Sequence, residues 1–457
     1  MVAVILFYAS ALCMLAAFAA AGFWAGRGVR GGRDFSLGGR SLSAAGVTGI
    51  LLGSLVGGAS TVGTVQMAYS CGMSAWWFTL GGGIGCLILG LRFAAPLRRA
   101  GVTTVSDYLL QSYGGEQSPW GRGVYYTATV SSTLGTFISV GAQFLACVAL
   151  LGSLFPISGA AVSALTAFLV LGFIASGGLK GFSRLGQAKL ILLYAVLLCC
   201  GAAAFKNSGS AVWRMSSPWF SLFGRGFFPE MGSLASMIVG VFTTQIYIQS
   251  LESARDEAAA RKGALMSALL MPPMGLFGIW VGLSVRARGI ELPPAQVLPW
   301  FIRDAFGPVM GGLMWGGIVI TVIGCAAGLI LGMSTNITSN LLPKKFMTEA
   351  RSLAVQRAVV VLIVIAAALM GAGGGNAMIL EWSYLSMGLR GAGTFLPFVA
   401  AVLRPGALSP RAAFCSSLGG LVAMLGWAFS GLKGDPLFAG IAVSAVCVAL
   451  GMARRSR

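Results

Sequence analysis

Apolar runs long enough to cross a lipid bilayer recur along the whole of this 457-residue chain, and they limit its fold more than any other feature. A helix needs about 20 mostly apolar residues to span the hydrocarbon core. Inside that core every backbone amide and carbonyl must be satisfied by the protein itself. Thirteen runs are read, over roughly 2–24, 43–69, 74–96, 122–152, 158–176, 185–205, 232–250, 263–287, 308–340, 353–372, 376–402, 411–431 and 435–453. The expected fold class is an all-α polytopic membrane protein with about 13 transmembrane helices. A single transmembrane domain fills 1–457, because no stretch between the runs is large enough for a soluble one. Only 9% of the residues are charged, against about 25% in ordinary soluble domains.

Charge placement gives the orientation. The net charge of +19 would suggest nucleic acid in a soluble chain, but here it reads as topology, since cytoplasmic loops collect Lys and Arg. With the N-terminus outside, the cytoplasmic loops and tail hold 23 Lys/Arg and the opposite side only seven. Val2–Trp24 has the small-residue tail of a signal peptide, but Arg27, Arg30 and Arg33 follow it and no basic residue precedes it. That polarity fits an uncleaved helix entering from outside, in a cell (cytoplasmic) membrane, with the C-terminus inside. There is no histidine, which removes the commonest general base and metal ligand. The nine cysteines show neither zinc spacing nor a disulfide framework. With no paired carboxylates and no nucleotide motif either, an enzyme is not expected.

The stretch 49–70, GILLGSLVGGASTVGTVQMAYS, is unusual for a span. Gly49, Gly53 and Gly57 recur every four residues and so share a helix face that lets another backbone approach. Gly57, Gly58, Ala59, Ser60 and Thr61 then make poor helix at mid-membrane depth. Two readings fit. The glycines simply pack helices, or the helix breaks here and lines a watery cavity, as the interrupted helices of secondary transporters do.

A series of motifs, in order, resembles the solute:sodium symporter family. They are GGRSLS (38–43), GGASTVG (57–63) with AYSCGMSAWWF (68–78), LRRAGVTTVSDYLLQSYG (97–114), GGLKGFSRLGQAK (177–189), QIYIQSLESARDEAAARKGAL (245–265) and LPPAQVLPWFIRDAFGPVMGGL (292–313). The resemblance covers about 40–405 and implies a LeuT-like fold of two inverted five-helix repeats whose first helices are broken. It places a first repeat at 43–205 and a second at 232–402, with 2–24 and 411–453 peripheral. Core helix 1 falls at 43–69, helix 6 at 232–250, helix 8 at 308–340 and helix 10 at 376–402.

The resemblance also implies a sodium ion between helices 1 and 8, held by backbone carbonyls and two adjacent hydroxyls. Those hydroxyl positions fall on Gly324 and Cys325, neither of which offers a hard oxygen. The carbonyls of Gly53, Val56 and Thr321, with the Thr321 hydroxyl, would remain as a degenerate metal site. A Thr-Asp pair that the resemblance implies at the start of helix 5 falls on Leu185 and Gly186, so that acidic group is missing. Gly324, Gly328 and Gly332 repeat at four-residue spacing, so the two glycine stripes are expected to close helices 1 and 8 on each other. Na+, or H+ in its place, is the expected coupling ion.

Of the ionisable side chains, Glu381 and Arg390 are read as lying well inside a span, both on helix 10. Each costs about 2.5–3.5 kcal/mol near a helix centre on insertion scales. Nine residues at about 100° each put them on opposite faces of a straight helix. Either the helix bends near Gly388 or Gly391–Gly393, or each has its own partner, with Glu381 snorkelling to the outer interface. Arg390 is read as facing the centre, to hold a substrate carboxylate or bond freed carbonyls. Thr243, Thr244 and Gln245 on helix 6, and Gln66 on helix 1, are further polar candidates beside Gly57, Gly58, Ser60 and Thr61. Where some relatives place an aromatic on helix 6, this chain has Gly240.

The expected function is a secondary active, cation-coupled solute symporter importing a small polar organic solute by alternating access. Its partners are that small-molecule solute and the lipid bilayer, with no nucleic acid. The alternative is a transporter-like sensor or uncoupled facilitator that has lost the sodium site.

Overall fold

A computed structural model of the chain describes residues 2–25, 40–153, 158–175, 178–343, 349–373 and 378–453. The basic cluster Arg27, Arg30 and Arg33 lies outside these described residues. Regular structure among them is helical: α1 (Val2–Ala25), α2 (Ala44–Leu55), α3 (Thr64–Cys71), α4 (Trp77–Ile88), α5 (Pro119–Gly152), α6 (Gly159–Ala175), α7 (Gly178–Ser208), α8 (Phe227–Thr243), α9 (Gln245–Glu252), α10 (Glu257–Ala287), α11 (Val297–Ala305), α12 (Pro308–Asn336), α13 (Glu349–Gly373), α14 (Ile379–Ala392), α15 (Phe395–Leu403), α16 (Pro410–Ser430) and α17 (Pro436–Ala453). Eight helices among the described residues are long and apolar enough to cross a membrane, and two bent pairs bring this to ten. With the shorter apolar helices Val2–Phe18, Ala44–Leu55 and Gly159–Ile174, this is compatible with the thirteen crossings read from the sequence.

The arrangement is centred on α12, whose stretch from Gly311 to Asn336 is almost entirely buried. A helix apolar on every side belongs in the middle of a bundle. Seven glycines along it let neighbours come close, and α2, α5, α7 and α1 pack around it. The outermost helices α16 and α17 pair with each other and keep lipid-facing residues such as Val422, Phe429 and Val446 exposed.

Helix ends are built from local chemistry. Ser43, Ser118, Asp256 and Ser409 each accept an amide hydrogen bond from the first turn of α2, α5, α10 and α16, which satisfies otherwise orphaned donors. On the side read as outer, α11 buries Val297, Leu298, Phe301 and Ile302, while Arg288 and Asp304 pair at 2.9 Å beside it. Its apolar side is thus turned inward and its charged residues outward, as in an amphipathic segment at a membrane interface.

At the start of α8, Glu230 is wholly buried and takes both Nε and Nη2 of Arg225, at 3.0 and 2.9 Å. Arg225 also donates to the Ser233 hydroxyl at 2.8 Å, closing the turn onto the helix. Removing one partner of a buried pair leaves the other uncompensated. Glu230→Gln is therefore expected to cost about 3 kcal/mol, the low end for such pairs because Arg225 keeps some solvent contact. Thermal unfolding of the detergent-purified variant checks this.

Candidate functional site at the helix breaks

The second span does break. α2 ends at Leu55, Val56 is extended at φ −97° and ψ 107°, and a wide turn over Ala59–Gly63 leads into α3. The Ser and Thr residues close by explain how a break survives in lipid. Ser60 and Thr61 hydroxyls donate to the Gly57 carbonyl at 3.1 and 2.7 Å, and Ser60 Oγ accepts from the Gly57 amide. The Gly58 amide donates to Gln143 Oε1 on α5 at 2.7 Å. Local hydroxyls substitute for the missing helical partners. Small residues are needed there too: a Cβ on Gly57 would come within 2.5 Å of Cys325 Sγ and Gln143 Oε1.

The second break lies between α8 and α9, which meet at 45°. Thr244 is extended there, at φ −82° and ψ 117°, and its hydroxyl donates to the Gly240 carbonyl at 2.6 Å. Thr243 is turned to its own helix, donating to Val239 O at 2.8 Å, and its carbonyl accepts from Ser132.

Arg390 reaches this break. It lies near the end of α14, where the chain bends by 54° into α15 across Gly393 and Thr394. The guanidinium is wholly buried, donating through Nη1 to Thr244 Oγ1 at 2.5 Å and through Nη2 to Ser386 Oγ at 2.8 Å. The buried Tyr247 of α9 lies beside it, and Met387 Sδ lies 3.5 Å from Nη1. Nε has no partner. Gly135 on α5 makes this placement possible, since a Cβ there would lie 2.5 Å from Arg390 Cγ. Among the described residues no carboxylate pairs with the guanidinium.

The other candidates are placed elsewhere. Glu381 is exposed in the first turn of α14 and is not brought to Arg390, in keeping with opposite helix faces. Gln66 accepts the Ile379 amide at 3.1 Å and so caps α14. Gln245 points to the 103–105 segment, donating to Thr103 O at 2.8 Å and accepting from Val105 N. Gly240 lies beneath Met387, whose Cβ would be 2.6 Å from an added Cβ. Three central residues escaped the sequence reading: Gln143, Ser386 and Met387. A lone amide in the apolar run 122–152 was the available signal for Gln143.

The residues at the implied sodium site do not suit a cation. Gly53 O accepts from the Lys189 ammonium of α7 at 2.5 Å. Thr321 Oγ1 donates to Gly317 O at 2.8 Å, and Cys325 Sγ donates to Ser54 O at 2.9 Å. Gly324 has no side chain to offer, and Val56 is the extended residue at the break. The stripe expectation is corrected in part. Gly49 and Gly53 face α7, against Ser183, Gly186 and Gln187, and Gly324 faces Lys189, although Gly57 meets Cys325 and Gly328 meets Ser54. The helix carrying Lys189 shares the seam that the two stripes were expected to close alone.

Broken helices at mid-span, a buried central helix and two bent pairs define a LeuT-like secondary transporter. The sequence model of the sodium:solute symporter family matches residues 35–420, and the chain belongs to that family. It is a multi-pass membrane protein and a secondary active symporter of a small-molecule solute. The fold is similar to that of a Na+-coupled sialic acid symporter in a substrate-bound outward-open state, with TM-score 0.77 and 16% identity over 98% of this chain and 97% of that one. It is also similar to MHP1, a nucleobase-cation-symport-1 family transporter in a closed conformation with bromovinylhydantoin bound, with TM-score 0.60 and 12% identity over 92% and 94%. No curated sequence matches the chain.

Proposed function

We propose that the protein imports a small polar organic solute carrying a carboxylate or similar anionic group, with its midplane site between the two helix breaks. Residues 43–205 and 232–402 are the two repeats that rock about this site, with 2–24 and 411–453 as peripheral helices. The N-terminus is outside and the C-terminus inside the cell membrane. Arg390 carries the reading: it is a buried guanidinium bonded to the break residue Thr244, with an unpartnered Nε and, among the described residues, no pairing carboxylate. A buried charge left without a counter-charge is costly, and an anionic solute would supply one. Arg390, Thr244, Ser386 and Tyr247 would hold the anionic group. The backbone around Gly57 and Gly58, with Ser60 and Thr61, would form the opposite wall.

Thermal unfolding of the purified protein across small carboxylates and their uncharged amides tests this. Stabilisation by at least one carboxylate, and not by its amide, is expected. Stabilisation by amides or polyols alone would contradict the anion assignment. The second reading, a sensor or uncoupled facilitator, is supported by the poor cation donor set around Gly53 and Cys325. Concentrative uptake into proteoliposomes separates the two.

A further inference from the structure

Lys189 falls in a cytoplasmic loop on the sequence reading, yet it is almost completely buried. It sits in the fourth turn of α7, and its stem runs inward along the seam between α2 and α12. Nζ donates to Gly53 O, two residues before the end of α2. Its methylenes lie over Gly324, where an added Cβ would be 3.0 Å from Cδ and 3.5 Å from Nζ. The absence of a side chain at 324 thus makes room for the lysine. No Asp or Glu among the described residues pairs with it.

We propose that the Lys189 ammonium is a tethered cation occupying the place between α2 and α12 where a sodium ion would otherwise sit, so that this chain binds no sodium there. Three observations converge. Gly53 O, a carbonyl the ion would need, already accepts from Nζ. The two neighbouring side chains that might complete a sodium shell are a glycine and a thiol, and the thiol is turned to Ser54 O. Hard cations take oxygen ligands, and thiols do not substitute for them. Two unit charges about 4 Å apart at an effective dielectric of about 20 repel strongly enough to weaken binding by about a thousandfold.

The same substitution accounts for the lost acid at the start of α7. Gly186 stands one turn before Lys189 and its Cα lies 3.2 Å from a Cβ built on Gly53. A carboxylate there would have no space between the two backbones. The tether also differs from an ion in one mechanical respect. An ion leaves when α2 and α12 separate, whereas the ammonium stays attached to α7. The seam therefore keeps its positive charge through every step of the cycle.

The test uses the full-length protein in detergent, with sodium chloride titrated against choline chloride at constant ionic strength. Melting temperature and binding of radioactive sodium are the readouts. Wild-type protein is expected to melt at the same temperature in both salts and to bind no sodium saturably. Lys189→Ala is expected to melt lower in choline and to be raised by sodium, because Gly53 O and its neighbours are freed. If Lys189→Ala does not fold, Lys189→Met takes its place.

Saturable sodium stabilisation of the wild type overturns the proposal. So does a variant with wild-type stability in choline, or one that sodium leaves unmoved. The inference rests on the same fold as the Arg390 reading but fails separately from it. Carboxylate uptake that requires sodium sinks this inference alone. Sodium indifference with no carboxylate stabilisation sinks the Arg390 reading alone.

Discussion

Arg390→Gln is expected to abolish carboxylate-dependent stabilisation while leaving the melting temperature of the unliganded protein equal to or above that of the wild type. The reasoning compares two costs. The wild-type guanidinium is wholly buried, with no counter-charge among the described residues and an idle Nε, and replacing an uncompensated buried charge by a neutral amide relieves desolvation. Glutamine still reaches hydrogen-bond partners near Ser386. What it cannot supply is the charge. A hydrogen bond to an ionised group is worth about 1.5–3 kcal/mol, and two of them lost from an anion weaken it by at least a hundredfold. Arg390→Lys should fall between, keeping charge but losing the planar fork that suits carboxylates. Isothermal calorimetry with the most stabilising carboxylate reads the loss. A variant that is strongly destabilised without ligand would mean that Arg390 is there to hold Thr244 and Ser386 together. Sites that trade stability for function show the opposite pattern.

Gly186→Ala should be among the most damaging single methyl groups that can be added to this chain. The built Cβ collides with the Gly49 carbonyl oxygen and lies 2.8 Å from its carbon, so backbone meets backbone and no side chain can rotate away. On the other side, a Cβ at Gly49 would lie 2.7 Å from Ser183 O. Overpacking of this kind costs about 1–3 kcal/mol, and more where neighbours cannot shift. Because α7 carries Lys189 against Gly53, pushing α7 outward should also loosen that contact. Gly426→Ala is the matched control: it lies within α16 with nothing within 4 Å of the new methyl. It should be neutral or stabilise by about 0.5–1 kcal/mol, the ordinary gain of Ala over Gly in a helix. Thermal unfolding of the two variants side by side checks the contrast.

Much of this architecture was visible in residue types alone. Gly57 to Thr61 made a break one of two open readings, because glycine lowers helix propensity while Ser and Thr satisfy the freed amides and carbonyls, and the structure uses Ser60 and Thr61 for that purpose. The bend of the span 376–402 was likewise legible in Gly391–Gly393. Opposite-face geometry of Glu381 and Arg390 followed from helical periodicity, and one is exposed while the other is buried.

What periodicity cannot supply is the identity of the neighbour across a face. Gly49 and Gly53 do form a close-packing face, but the backbone that approaches it belongs to α7. The identity of that neighbour is a tertiary fact. Lys189 was hidden for a different reason. Its position near the start of a span looks like a loop charge, and only the path of its long stem shows that it points inward rather than to water. Gln143 was read as an ordinary member of an apolar run, because its partner, Gly58, is 85 residues away in the chain.

The most direct test of the transport site is a cryo-electron microscopy map of the full chain with the carboxylate that stabilises it most. The account predicts density for the anionic group within hydrogen-bond distance of Arg390 and Thr244, with α2–α3 and α8–α9 still broken around it. Density at another place, or straight helices through Gly57 and Thr244 with the carboxylate bound, would contradict it.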